Sequence, residues 1–371
     1  MGEKLPPVAP DGRIGERFDP SATSCVPRQD DAGAGVGDGM RPCVGHEVFP
    51  LMNRRGLLLR VGALGAAVAG GVWLRDQVVW RRPDVAVVDD GWRPWDHPRT
   101  DVPTVSAVIQ GRTVRALIDS GAEYSAIDRD FAASLGLKSG FNMPLIAYGV
   151  GGGPQMGRGV GVSLSAGGLQ ISRLQAAVLD LGPVASPRGL ATPIILGQDV
   201  LGEAVIELDL SRPRRAGRRL RFLAAVPTAA DMVAAPARRQ GRALRTEVIV
   251  EGALIDALID TGSSSALALS EAEARKAGLL DGRPTTPGST LVLGGAMASR
   301  LIRVGSLTAG GSDLGRAEVS VFDTPSLPTF PSALVGTAAF EGRRVVLDLA
   351  GGRILASRPL DLIVGRGEKA A

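Results

Sequence analysis

Residues 111–122 read GRTVRALIDSGA, and residues 252–263 read GALIDALIDTGS. In each stretch a glycine is followed by a mainly apolar run that ends in Asp-[Ser/Thr]-Gly, and the step from the glycine to the aspartate is eight residues in both. The two aspartates, Asp119 and Asp260, are 141 residues apart. Self-similarity at a fixed offset is the signature of an internal repeat, so we expect two copies of one structural unit.

Other landmarks keep the same order in both copies. Leu-Gly-Leu at 135–137 corresponds to Ala-Gly-Leu at 277–279, and IILG at 194–197 corresponds to ALVG at 333–336. An Asp-Leu pair begins twelve residues after the glycine of each late motif. The repeat therefore extends over nearly all of the chain beyond about residue 100.

The local sequence predicts mostly β-structure in each unit. Alternating β-branched runs at 105–109 and 114–118 predict a hairpin whose second strand ends at Asp119, and the runs at 246–250 and 254–259 repeat it. Duplicated units usually associate about a pseudo-two-fold axis, which places equivalent loops face to face.

A short helix is expected after the hairpin in each unit. Asp128 is a helix cap in front of a segment that stops at Gly136. In the second unit Ser270 and Glu273 form a capping-box pattern for a helix that stops at Gly278.

The net charge of +4 comes mostly from arginine. Six arginines occur from Arg212 to Arg221, and all but Arg221 lie between strands predicted at 204–210 and 220–225. Without interleaved aromatic residues such a run is typical of a solvated loop, and the corresponding turn of the second unit is only the Ala-Gly-Gly of 350–352.

Composition excludes several function classes. The chain has 371 residues, 44% of them hydrophobic and 22% charged, as in ordinary globular proteins. It contains two His and two Cys, of which only His97 lies beyond residue 50, so Ser/His/Asp and Cys/His catalysis, common zinc sites and a disulfide framework are excluded from the body. The aromatic content of 4% argues against nucleic-acid binding. We expect no metal and no cofactor, which leaves carboxylates for difficult chemistry.

The amino-terminal region is different in character. Residues 1–51 are rich in Gly, Asp and Pro without apolar periodicity, and are predicted to be disordered or an upstream extension that is not translated. Residues 52–76 place Arg54 and Arg55 ahead of an apolar stretch at 57–74, a pattern typical of a twin-arginine export signal.

Two alternatives remain for the apolar stretch at 57–74. It would also suit an uncleaved membrane anchor or, in a cytoplasmic protein, a buried Ala-rich helix. We expect export to the periplasm or cell envelope, with a possible membrane tether through this stretch. The predicted organisation beyond it is a linker at 77–99, a first unit at 100–226, a linker at 227–242, a second unit at 243–360 and a tail at 361–371.

The duplicated Asp-[Ser/Thr]-Gly motifs matter because there are two of them. One copy alone is common by chance and indicates a turn. Two copies, each after an apolar strand and each at the same place in a repeated unit, predict that Asp119 and Asp260 lie within hydrogen-bonding distance across the axis.

Together, the Asp-[Ser/Thr]-Gly loops, the late apolar-apolar-Gly motifs and the Gly-rich turns between them resemble the retropepsin-type aspartic protease family. The resemblance covers about Val102 to Arg358, as a tandem single-chain pair. It implies a mostly β fold of two barrel units related by a pseudo-two-fold axis, each with a short helix. It also implies that Asp119 and Asp260 are the catalytic pair.

The resemblance implies supporting roles for the loop residues. Ser120 and Thr261 would lock the two loops by hydrogen bonds across the axis, and Gly121 and Gly262 would give the turns their tightness.

The Gly-rich turns at 148–153 and 293–296 would be the tips of flaps over the substrate. The substrate-binding candidates in them are Tyr148, Gly151, Gly152, Gly294 and Gly295.

Two carboxylates about 3 Å apart share one proton, so that one acts as base and the other as acid on a water molecule. The expected function is an exported aspartic endopeptidase that binds an extended polypeptide as an added strand. One alternative is a non-catalytic peptide-binding or scaffold module of the same fold. Another is pairing of units between two chains. We expect instead a monomer in which the two units form an internal pseudo-dimer. The expected partner is a protein or peptide substrate.

The sequence departs from the family after each late glycine. Viral members carry Arg and then Asn or Asp there, whereas this chain has Gln198-Asp199 and Thr337-Ala338. The hydrogen-bond network between the units is therefore predicted to differ. A further acid, Asp256, lies four residues before Asp260 but lacks a following Thr-Gly, and is predicted to face solvent.

Overall fold

A computed structural model describes residues 81–96, 101–138, 141–147, 155–212, 217–292, 295–322 and 331–358. Within these ranges the chain is mostly β-strand, which confirms the predicted fold class. The extension at 1–51, the signal or anchor at 52–76 and the tail at 361–371 lie outside the described residues.

The strands of the first half are β1 (Asp84–Val87), β2 (Arg93–Pro94), β3 (Thr104–Ile109), β4 (Arg112–Ile118), β5 (Ala126–Asp128), β6 (Phe141–Ala147), β7 (Gln155–Ala166), β8 (Leu169–Leu179), β9 (Ile194–Leu196), β10 (Val205–Asp209) and β11 (Arg219–Leu223). Those of the second half are β12 (Met232–Ala235), β13 (Arg238–Gln240), β14 (Ala243–Val250), β15 (Ala253–Ile259), β16 (Leu267–Ser270), β17 (Thr285–Val292), β18 (Gly295–Ala309), β19 (Ser312–Phe322), β20 (Ala333–Val335), β21 (Arg344–Asp348) and β22 (Arg353–Ser357). The helices are α1 (Arg129–Ser134), α2 (Gln198–Leu201) and α3 (Glu271–Lys276), with 3-10 turns at Gly182–Val184 and Thr337–Phe340.

Each unit closes six strands into a barrel. In the first unit the strand order is β1-β8-β5-β9-β4-β3-β7-β6, and the additional pairing of β8 with β7 closes the ring. In the second unit the order is β13-β14-β15-β20-β16-β19-β18-β17, closed by β14 with β18. Equivalent strands occupy equivalent places in the two rings, so the sequence repeat is also a structural repeat.

The predicted hairpins are present and are closed by tight turns. Gln110 and Gly111 join β3 to β4 with φ of 49° and 76°, and Glu251 and Gly252 join β14 to β15 with φ of 47° and 87°. Positive φ at both central residues marks the two-residue turn whose twist matches that of paired strands. The turn fixes the register of each hairpin, and therefore where its second strand ends.

A third sheet joins the two units. Its order is β12-β22-β21-β10-β11-β2, with β10 of the first unit antiparallel to β21 of the second. Ile206 lies opposite Leu347 and Leu208 opposite Val345, and all four side chains are buried. The same hydrophobic core continues through both barrels.

The two segments predicted as linkers contain strands instead. In 77–99, β1 pairs with β8 and β2 pairs with β11, and Trp95 is buried. In 227–242, β12 pairs with β22 and β13 with β14. These strands cover backbone N–H and C=O groups that would otherwise form open sheet edges. They are too short for a periodic pattern, so the sequence did not distinguish them from connecting loops.

The prediction of a solvated loop is wrong for Arg218. Its side chain is 4% exposed, its guanidinium lies 5.5 Å from the centre of the Trp95 ring, and Nη2 donates a hydrogen bond to Glu341 Oε1 at 3.0 Å. A buried cation requires partners of this kind.

The next arginines are also partnered. Arg219 and Arg221 each lie 4.6 Å from the ring centre of Trp92, and they form ion pairs with the buried carboxylates of Asp209 and Glu207 respectively. These partners come from an earlier segment and from the neighbouring strand, which a local reading of the arginine run does not show. Residues 213–216 of the run lie outside the described residues.

The helix caps agree with prediction except in one detail. Asp128 Oδ1 accepts hydrogen bonds from the backbone of Asp130 and Phe131, each at 3.1 Å. Ser270 Oγ accepts a hydrogen bond from Glu273 N at 3.1 Å. The N–H of Ser270 donates to Ser332 O at 2.8 Å instead of to the Glu273 side chain, so the capping box is only half formed.

None of the helices in the described ranges is both long and apolar enough to cross a membrane.

Candidate active site

The two motif aspartates occupy equivalent places at the ends of strands. Asp119 follows β4, which runs parallel to β9, and its N–H donates to Leu196 O at 3.0 Å. Asp260 follows β15, which runs parallel to β20, and its N–H donates to Val335 O at 2.9 Å. The late apolar-apolar-Gly motif therefore holds the aspartate of its own unit in position.

Reciprocal hydrogen bonds join the two loops across the pseudo-two-fold axis. Ser120 Oγ accepts from Thr261 N at 3.0 Å and donates to Ile259 O at 2.8 Å. Thr261 Oγ1 accepts from Ser120 N at 3.0 Å and donates to Ile118 O at 2.6 Å. Both side chains are buried, so breaking any of these bonds would leave a polar group without water.

The glycines after the hydroxyl residues allow the aspartates to approach. A Cβ atom on Gly121 would lie 2.7 Å from Asp260 Cγ, and one on Gly262 would lie 2.7 Å from Asp119 Cγ. Real Cβ contacts of that length do not occur, so any larger residue would push the opposite carboxyl group away. The sequence-based role for these glycines thus has a steric reason.

The carboxyl groups of Asp119 and Asp260 are hydrogen-bonded to each other. Asp119 Oδ1 also accepts from the N–H of Gly121 at 2.8 Å and of Ala122 at 3.2 Å, while Asp260 Oδ1 accepts from Gly262 N at 2.9 Å. Both aspartates are half-buried, so solvent still reaches them.

This environment changes how the pair titrates. Burial raises the pKa of Asp119 above its ordinary value, although the bonds from Asp260 and from the backbone oppose the shift. The pKa of Asp260 is raised further, first by burial and then by the neighbouring Asp119 carboxylate. The arrangement favours a state in which the pair carries one proton.

The residues after the late glycines take part in the loop network. Gln198 Nε2 donates to Ser120 O at 2.7 Å. Its counterpart Thr337 donates through Oγ1 to Asp101 O at 2.6 Å, with Ser263 O at 3.3 Å. The two sides of the site are therefore supported differently. The sequence singled out these positions as departures from the family, but it did not indicate which groups their side chains contact.

Asp199 is a second residue whose role the sequence did not indicate. Its Oδ1 accepts from Ser125 N at 3.0 Å and from Ser125 Oγ at 2.7 Å, and the side chain is buried. Ser125 Oγ in turn accepts from Gly197 N at 3.0 Å. This set ties the first active-site loop to the start of α2.

The predicted flap residues are only partly described. Gly295 begins β18 and pairs with Val292 of β17, so a hairpin is present in the second unit. In the first unit β6 pairs with β7. The remaining flap candidates lie outside the described residues: Tyr148, Gly151, Gly152 and Gly294.

Asp256 takes no part in the aspartate pair. It is exposed, and its Oδ2 accepts hydrogen bonds from Arg238 at 2.6 Å and from Arg245 at 2.7 Å. This is the solvent-facing pairing that the sequence predicted.

In the part of the chain that the structure describes, no group of three or more His, Cys, Asp or Glu side chains is arranged to hold a metal ion.

No curated protein matches the chain significantly. Among solved structures, basic 7S globulin from soybean aligns with a TM-score of 0.39 and 11% sequence identity, over 74% of this chain and 95% of that one. A family model described as aspartyl protease matches residues 105–200 and again residues 246–339. Since these two tandem matches cover just over half of the chain and each contains one of the paired aspartates, the protein belongs to the aspartyl protease family.

Proposed function

We propose that the protein is an aspartic-type endopeptidase that hydrolyses peptide bonds of an extended polypeptide. The observation that carries the proposal is the hydrogen-bonded pair of carboxyl groups, Asp119 and Asp260, in an environment that raises both pKa values. A binding module gains nothing from two carboxylates held together against their repulsion, whereas acid–base catalysis needs such a pair.

In this proposal the pair starts the reaction with one proton, held by Asp260. The Asp119 carboxylate takes a proton from a water molecule, whose oxygen attacks the carbonyl carbon of the scissile bond. Asp260 gives its proton to the carbonyl oxygen, which yields a neutral tetrahedral diol. When the C–N bond breaks, Asp119 returns its proton to the leaving amine and Asp260 takes one from the diol, so the starting state is restored.

The substrate is proposed to bind as an added strand beneath the β6–β7 and β17–β18 hairpins. Main-chain hydrogen bonds would then supply affinity without strong dependence on sequence. Export through the segment at 52–76 is part of the proposal and is supported by Arg54-Arg55 followed by the apolar stretch at 57–74.

The test is cleavage of an unfolded protein mixture by the full chain, followed by mass spectrometry from about pH 3 to pH 8. Asp119→Asn and Asp260→Asn are each expected to lower the rate by about 10²–10⁴-fold, because either change removes one of the two proton-transfer groups. A statine-type inhibitor, whose hydroxyl group imitates the attacking water, is expected to stop cleavage by the wild-type chain.

Asp256→Asn is the matched control, since it removes a carboxylate four residues away on the same strand and outside the pair. It should retain wild-type cleavage. A wild-type chain that cleaves at no pH, yet binds the inhibitor or an extended peptide, would favour the non-catalytic binding module. If either single variant of the pair kept half of the activity, the shared-pair mechanism would be wrong.

A further inference from the structure

A polar cavity of about 140 Å³ lies where the two repeat units meet, apart from the carboxyl pair. Tyr124, Gln198 and Asp199 of the first unit line it, as do Arg239 and Arg242 of the second. A water molecule needs about 10–15 Å³ of such space, so the cavity has room for several waters or for one small polyatomic ion.

Positive charge predominates in the lining. Four arginines and two acidic residues contribute to it: Arg81, Arg82, Arg239, Arg242, Asp199 and Glu203. Arg82 approaches Glu203 to 3.7 Å, a loose contact between partly exposed groups. The arginines therefore exceed the acids that are available to neutralise them.

Arg242 shows this excess most directly. Its guanidinium lies 5.0 Å from the ring centre of Tyr124, and its Nη1 is screened from solvent. Among the described residues, that nitrogen has no hydrogen-bond partner. A buried donor of a charged group without an acceptor is costly, so Arg242 lies beside the cavity with part of its hydrogen-bonding capacity unused.

Asp199 can offset at most one of these positive charges. Its Oδ1 is occupied by hydrogen bonds from Ser125 and from Val200 N at 3.0 Å. Burial raises its pKa above the ordinary value, although these hydrogen bonds and the nearby positive charge of Arg242 oppose the shift.

The equivalent place on the other side of the pseudo-two-fold axis is filled by protein groups. Arg219 and Arg353 are structural counterparts, because Nε of each donates to the aspartate ending the preceding strand at 2.8 Å. The residue before Arg219 is Arg218, whose side chain is buried between Trp95 and the carboxylates of Asp101 and Glu341.

The residue before Arg353 is Gly352. The second hairpin thus provides no side chain in place of Arg218. Arg239, which lies against Gly352, donates to the backbone oxygens of Gly241 and Ala350 rather than to a carboxylate. One junction between the units is closed by a neutralised arginine, whereas the other is open and positive.

We propose that this cavity binds a small oxyanion, a phosphate or a carboxylate, through Arg242 and the neighbouring arginines. The planar guanidinium group suits such oxygens because it offers parallel N–H donors. The bound anion would neutralise the excess positive charge of the lining and would tie the second unit to the loop that contains Tyr124. The proposal does not depend on whether the aspartate pair is catalytic.

The test measures thermal unfolding and titration calorimetry of the full chain with inorganic phosphate and, separately, succinate, at constant ionic strength set with sodium chloride. A ligand of the folded state at ten times its dissociation constant is expected to raise Tm by roughly 2–5 °C. The rise should saturate, and it should vanish in Arg242→Gln. A response to phosphate alone or to both anions would identify which oxyanions the site accepts.

Arg303→Gln is the control for net charge, because Arg303 is 87% exposed and does not line the cavity. It should respond as the wild type does. If Arg242→Gln does not fold, Arg82→Gln, with its side chain 74% exposed, should weaken binding by roughly two- to five-fold. The proposal is wrong if neither anion binds, or if the variant that loses a cavity arginine binds as tightly as the control.

Discussion

At the scale of single residues, the site depends on keeping two carboxyl groups closer than they would stay in water. Gly121 and Gly262 leave the space, and the exchange of hydrogen bonds between Ser120 and Thr261 holds the loops at that distance. Burial and mutual repulsion then raise the pKa of Asp260 above its ordinary value of 3.8. The same features that suit the pair to acid–base chemistry oppose folding when both groups are charged.

This conflict predicts a gain in stability from a change that removes the proton donor of the proposed reaction. The folded-state pKa of Asp260 is raised above 3.8. Its favourable contribution to the free energy of unfolding is therefore fully present below pH 3.8, and it is lost as the pH rises through the folded-state pKa. Asn at this position stays neutral, so Asp260→Asn should have a higher Tm than the wild type at pH 7. The difference should shrink as the pH approaches 3.8.

Scanning calorimetry from pH 3 to pH 8 measures this difference directly. Asp256→Asn is again the control, because its carboxylate is paired with Arg238 and Arg245 and its loss should not raise Tm. A wild-type chain as stable as Asp260→Asn at every pH would mean that the pair carries no electrostatic cost.

At the scale of elements, a short strand ahead of each barrel joins the carboxy-terminal hairpin of the same unit. β2 lies against β11, and β12 lies against β22. Pro94 in β2 and Pro236 just after β12 fit this place, because proline lacks an N–H and is tolerated on edge strands. These strands attach the segments around 81–96 and 231–240 to the barrels.

The amino-terminal strand segment is expected to contribute to stability. Trp95 is 7% exposed and packs in the main core, so Trp95→Ala should lower the free energy of unfolding by about 3–5 kcal/mol. Val88→Ala, at a residue 66% exposed in the same segment, should change it by less than about 0.5 kcal/mol. Urea unfolding of both variants checks this, and equal effects would show that 77–99 behaves as a linker after all.

At the scale of the whole molecule, the two units share one sheet and one site. The β10–β21 pairing crosses between them, and the buried Glu207 of the first unit accepts from Arg221 of its own unit and from Arg344 of the second. Each unit supplies one aspartate, so a complete pair forms within a single chain.

It follows that chains with complementary defects should not rescue each other. Asp119→Asn mixed with Asp260→Asn is expected to cleave no faster than either variant alone, because no intact pair can form without exchange of units. Light scattering should give the mass of one chain. Recovery of cleavage on mixing, together with a dimer mass, would instead support pairing of units between chains.

Much of the fold could be predicted from the sequence because its signals are local. The Gly111 and Gly252 turns, the apolar runs ending at Asp119 and Asp260, and the Asp128 cap each depend on residues within a few positions of one another. The repeat added the one long-range statement, that equivalent loops meet. Together these were enough to predict the hairpin that ends at each aspartate and the pairing of the two aspartates.

Other features were decided only by tertiary structure, because the groups that define them are far apart in the chain. Arg218 is buried rather than solvated because Trp95 and Glu341, 123 residues away from it, come to its side. Gln198 supports Ser120 across 78 residues. A sequence shows which residues need a charged or hydrogen-bonding partner, but burial removes water as the default partner, and only the folded chain determines which group replaces it.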